Sequence, residues 1–133
     1  MTTLTIRNFI ASLFPDATVI NGATTKSPSI SVFQGPEARS GRTSFLGGVE
    51  CNDYHKMPIN ILVRWSTDTN VAYQKAYEIH KSLMGKNNFT FESADIAFIS
   101  LLDDIPIWVG RDSENVCEYM IRADIYYFQE VTQ

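Results

Sequence analysis

Between residues 3 and 14, Ile6, Phe9, Ile10, Leu13 and Phe14 recur at three- and four-residue spacing, so they share one face of a predicted helix. Thr3 is the expected cap, and Pro15 with Asp16 ends the helix. Its single basic residue, Arg7, favours a face turned to a core over one lying on a membrane. Residues 29–34 (SISVFQ) alternate polar and apolar and read as a strand with Ile30 and Val32 inward. A second strand, kinked at Gly47 and Gly48, is expected over residues 45–51. The clearest strand is residues 58–66 (PINILVRWS), with Ile59, Ile61, Val63 and Trp65 on one face and Asn60, Leu62 and Arg64 on the other. Ser66, Thr67 and Asp68 are cap candidates for a helix of about 18 residues. Ala72, Ala76, Ile79 and Leu83 form its buried stripe, with Tyr73 and Tyr77 beside it, and Gly85 suits its C-terminal stop.

The rest of the chain reads as strands. Residues 89–91 make a short one. Residues 96–102, almost wholly apolar, are expected in the middle of a sheet. Pro106 restricts residues 105–109 to an edge or a bend, and residues 110–115 form a turn. From residue 116 to 128, Cys117, Tyr119, Ile121, Ala123, Ile125 and Tyr127 alternate with Glu118, Met120, Arg122, Asp124 and Tyr126, one long strand able to pair along its whole length. The order helix, strands, helix, strands predicts an α+β fold, a mainly antiparallel sheet with two helices packed on one face. Trp65, Ile61, Ile99, Leu101, Ile121 and Ile125 are the expected core.

Length changes little in this picture, since 133 residues suit one domain with about 65% of the unfolded surface buried. The loop at residues 35–48 is the one long stretch without periodicity and is expected to be flexible, and long loops in compact domains tend to carry function. Charge is more telling. Residues 1–66 hold six basic and four acidic side chains, whereas residues 67–133 hold five basic and eleven acidic ones. A chain of net charge −4 has no sequence-wide means of gripping phosphate backbones. No apolar run is long enough to span a membrane. Met1 to Thr5 has neither a basic nor an apolar leader region, so no signal peptide is expected and Cys51 and Cys117 are expected as thiols.

Candidate chemistry is sparse. Cys51 and His55 lie four apart, but the remaining zinc-type ligands, Cys117 and His80, fall on separate elements, so the four read as structural bystanders. Asp103, Asp104, Asp112 and Glu114 offer carboxylates without the spacing of a calcium loop and read as solvated turns. Gly47-Gly48 lacks the Gly-Lys-Ser/Thr continuation of a phosphate loop. No catalytic, cofactor or metal site is expected. Arg39, Ser40, Gly41 and Arg42 are the candidate interaction residues. Tyr126, Tyr127 and Phe128 place bulk on both faces of the last strand, which suits either a central strand or an interface.

Four segments then carry a likeness: TIRNFIASLFPDATVING at the start, MPINILVRWS in the middle, AYEIHKSLMG in the second helix, and IPIWVGRDSENVCEYMIRADIYYF at the end. Together they resemble the tail terminator, or minor capsid, proteins of bacteriophages with long non-contractile tails. The resemblance implies an α+β subunit that assembles into a ring, typically hexameric, and needs no cofactor. Such a ring caps the tail tube, stops its polymerisation and offers a joining surface to the head. The implied partners are further copies of the chain, the major tail tube protein and a head-connector or neck protein, with DNA passing through the lumen unbound. The implied location is the head–tail junction of the virion, after assembly in the host cytoplasm. A neck or head-completion adaptor and a non-viral protein-binding module are the alternatives. Arg39, Ser40, Gly41 and Arg42 are expected to touch the tube or a neighbouring subunit.

Overall fold

The computed structural model describes residues 2–22, 28–34, 54–92 and 94–128. The expected strand at 45–51, the loop at 35–48 and Cys51 lie outside them. Helix α1 (Thr3–Leu13) starts where the sequence pattern starts and ends one residue before Phe14. Thr2, not Thr3, is the cap: its hydroxyl accepts from the Thr5 N–H while the Thr5 hydroxyl accepts from the Thr2 N–H, a reciprocal pair that satisfies two end groups. The predicted stripe holds, with Ile6, Phe9, Ile10 and Phe14 buried. Phe14 leaves the helix as its C-cap, its N–H still donating to Ile10 O.

Seven strands follow around the second helix: β1 (Val19–Asn21), β2 (Ser29–Gln34), β3 (Tyr54–Arg64), then α2 (Thr69–Leu83), β4 (Asn87–Phe91), β5 (Ala94–Leu101), β6 (Ile107–Arg111) and β7 (Cys117–Phe128). They form one curled, mostly antiparallel sheet in the order β1-β2-β3-β7-β5-β4, with β6 also on β7. The α+β class therefore holds. β1 was not foreseen and pairs parallel to β2; three residues are too few to show a period. β3 starts at Tyr54 rather than Pro58. Pro58 sits one residue beyond the last described β2 pair, Gln34 with Ile59, where among the described residues only the β7 side of the strand is laddered.

The expected alternation of β7 is the spine of the core. Ile61 faces Ile121, Ile59 faces Ala123 and Met57 faces Ile125 across β3 and β7, while Ile99 and Leu101 of β5 continue the same rows. Both helices cover this one face. α2 lays Ala72, Ala76, Ile79 and Leu83 on it, the stripe read from the sequence, and α1 joins the same cluster. Asp68 caps α2 by accepting from the Asn70 and Val71 N–H groups, and Gly85 follows its C-cap at φ +75°, a left-handed turn suited to glycine. The helix is 15 residues, shorter than expected. Phe9 of α1 stacks on Phe89 at 5.1 Å and meets Phe91 edge-on at 5.5 Å, so the curl brings β4 under the helix that also covers β1 and β2. Trp65 and Leu101, expected in the core, are only half-buried against it. β7, paired on both sides, is the central strand; β5 lies between it and β4.

Candidate interaction surface

β5 and β6 are two halves of one interrupted strand along the same side of β7. β5 ends where Leu101 faces Ala123, and β6 begins where Ile107 faces Met120. Residues 102–106 thus bulge opposite Ile121 and Arg122 alone. Pro106, without an N–H, sits in this break, as the sequence reading required of it.

Three contacts hold the bulge. The Leu102 N–H donates to Arg122 O at 3.0 Å. The Arg122 guanidinium grips the Asp103 carboxylate with two bonds of 2.9 and 2.8 Å, a fork geometry that fixes direction as well as distance. This hydrogen bonding, and secondarily the opposite charge, raises the Arg122 pKa further above its already high value. From α2, His80 Nε2 lies 2.8 Å from Asp103 O. A carbonyl only accepts, so the geometry assigns the proton to Nε2. His80 Nδ1 is then an acceptor, buried and without a hydrogen-bond partner among the described residues.

The other end of β6 is equally constrained. Gly110 at φ +139° forms the irregular step between the Trp108 and Gly110 pairs, a conformation that a side chain opposes. Arg111 donates to Thr67 O, Asn115 O and Thr69 Oγ1, at 2.9, 3.1 and 3.0 Å, tying β6 to the start of α2. In the following turn Asp112 Oδ1 accepts from the Glu114 and Val116 N–H groups, and Oδ2 pairs with the buried Arg64 of β3. Asn115 takes the left-handed conformation at φ 66°. The reading of the acidic turns as merely solvated is therefore corrected for Asp103 and Asp112, which are structural ion-pair partners; Asp104 and Glu114 are exposed.

Between these anchors β6 presents apolar side chains to solvent. Ile105 is 54% exposed, Val109 50% and Trp108 47%, with Ile107 and Leu102 also exposed. Trp108 meets Tyr119 edge-on at 5.2 Å, Tyr119 meets Tyr73 at 5.5 Å, and Tyr73 stacks on Tyr77 at 6.2 Å, an aromatic line running from the sheet edge onto α2. Burial, with smaller contributions from Cys117 and Tyr73, raises the Tyr119 pKa, so its phenol stays neutral. Single exposed apolar residues are ordinary, but this many along one sheet edge make β6 the candidate interaction surface.

The expected interaction residues Arg39, Ser40, Gly41 and Arg42 lie outside the described residues. The zinc-type side chains that are described have separate duties. His55 stacks on Tyr127 at 5.6 Å, the buried Cys117 thiol donates to Thr67 O at 3.6 Å, and His80 serves the bulge. Among the described residues no three His, Cys, Asp or Glu side chains gather as a metal site. Tyr126 and Tyr127 are half-buried, Tyr126 stacking on Phe98 at 4.4 Å. A cleft of about 220 Å³ lined by Phe14, Asp16, Trp65, Lys75 and Glu78 is smaller than ordinary ligand pockets. Lys75 Nζ is held there 4.8 and 4.7 Å from the Phe14 and Trp65 ring centroids, two cation–π contacts. The β6 strip was missed as a site because apolar residues on both faces of a short run read equally as buried; the edge proline was the one signal for exposure.

No protein-family model matches the chain, and no curated protein is similar to it in sequence.

Proposed function

We propose that this chain is a structural subunit of a bacteriophage tail terminator, a non-enzymatic protein whose copies form a ring on the tip of a long non-contractile tail. The ring caps the tube, ends its polymerisation and offers the surface to which a head connector joins, with DNA passing through its lumen. The observation that carries the reading is the exposed apolar strip of β6. It belongs to the segment 105–128 in which the likeness to tail terminators is strongest, and it is the kind of surface a ring subunit must cover with another chain. The acidic surplus of residues 67–133 suits a lumen that does not hold DNA. Arg39, Ser40, Gly41 and Arg42 are proposed to contact the tube or a neighbouring copy.

The test is electron microscopy of lysates from the phage with this gene removed. Filled heads beside overlong, headless tails are expected. Tails of normal length beside unjoined heads assign the chain instead to the neck, and intact infectious particles overturn the reading. Replacing both Arg39 and Arg42 by Glu is expected to block joining of heads to tails.

A further inference from the structure

We infer that the β6 edge of one copy pairs with the β4 edge of the next, joining their sheets through a backbone ladder. This rests on the ring proposed above, because a head-to-tail ring needs two different complementary surfaces on each subunit.

Among the described residues three strands have one side unpaired: β1, β4 and β6. β1 is poorly suited to an incoming chain. It has three residues, Val19 is buried, and Arg7 Nε already donates to Val19 O at 2.8 Å. Short strands and side chains that occupy edge groups are the usual means of discouraging such pairing. Protection of β6 is confined to Pro106 before it and its irregular step, and its own Ile107, Trp108 and Val109 are exposed. Pairing it with the same strand of a second copy gives a closed two-fold contact, not a ring. β4 remains. It is five residues long, as β6 is, and its Asn87, Asn88 and Thr90 are exposed.

Charge selects a direction for the pair. Asp104 precedes β6 and Arg111 ends it, whereas Lys86 precedes β4 and Glu92 follows it. Aligned parallel, the acidic start of β6 meets the basic start of β4, and Arg111 meets Glu92; aligned antiparallel, like charges meet at both ends. Among the described residues none of the four is ion-paired within its own chain, Arg111 being bound to neutral oxygens and Glu92 to the Asn8 amide. The exposed apolar residues of this edge, Leu102, Ile105, Ile107, Trp108 and Val109, are what an incoming strand covers. Such strand addition takes its affinity from main-chain hydrogen bonds and its specificity from flanking side chains.

The experiment uses the full chain with Cys51→Ser, leaving the buried Cys117 as the native thiol. Val109→Cys is placed in one preparation and Thr90→Cys in a second that carries a size tag. The two are mixed and treated with a short bismaleimide while native mass spectrometry reads the assembly. A cross-link between tagged and untagged chains is expected, at least tenfold above the link between two Val109→Cys chains. A dominant link between two Val109→Cys chains, or an assembled protein without the mixed link, overturns the pairing and leaves the ring standing. A mixed link within two-copy particles keeps the pairing and removes the ring. A monomer at every concentration overturns both. Circular dichroism of each variant confirms that the chains compared are folded.

Discussion

Ile121→Ala is the sharpest test of how the sheet faces its core. Ile121 is 1% exposed, opposite Ile61 on β3 and beneath the face that both helices cover. The substitution removes three carbon groups, worth about 2.4 kcal/mol at ~0.8 kcal/mol each. The space left behind, incompletely refilled, adds roughly 1–2 kcal/mol, for a total near 4 kcal/mol. Urea unfolding followed by circular dichroism at several protein concentrations, to separate any linked association, reads this as a midpoint lowered by roughly 2 M with an unchanged slope. Ile107→Ala, on the exposed edge and the opposite face, is the control and is expected to lose no more than about 1 kcal/mol. Equal losses at the two positions, or less than 1 kcal/mol at Ile121, refute the assignment of the inward row on β7.

Three further outcomes follow from the turn and the buried polar groups. Asp112→Ala removes the close carboxylate from the buried Arg64 guanidinium, which keeps Glu118 at 3.9 Å, and is expected to cost about 3 kcal/mol in urea unfolding, against no more than ~0.5 kcal/mol for the exposed Glu114→Ala. Gly110→Ala meets open space but keeps φ at +139°, so backbone strain alone is expected to lower stability by roughly 1–3 kcal/mol in thermal melts. Tyr119 and Tyr127, both raised above the ordinary 10.0 chiefly by burial, are expected to ionise only above pH 10.0 in ultraviolet titration. Because the folded state holds these protons more tightly than the unfolded one, the stability they confer is fully present below pH 10.0 and is lost as the pH rises through their raised values.

The helices and the long strands were legible because their burial is periodic. Ala72, Ala76, Ile79 and Leu83 are spaced by three and four residues, and burial along β7 alternates from Cys117 to Ala123, so each pattern repeats often enough to name its element and its inward face. β1 repeats too little, and it exists because β2 offers it a partner. Thr2 displaced Thr3 as the cap because a reciprocal bond with Thr5 requires that exact spacing of three, whereas either threonine satisfies a composition rule.

Local sequence therefore determined the type of the main elements and which side of each is apolar, since those follow from side-chain size and spacing alone. Only the tertiary structure decided where the apolar residues stop being buried. Ile99 and Val109 are both aliphatic residues in strands along β7; one is covered by the core and the other faces solvent, because β4 lies beside β5 while no described strand lies beside β6. The same holds for charge: Asp103 and Asp112, unlike Asp104 and Glu114, have Arg122 and Arg64 brought to them from β7 and β3, partners that lie 19 and 48 residues away. Exposure and pairing are properties of neighbours distant in sequence, and folding supplies those neighbours.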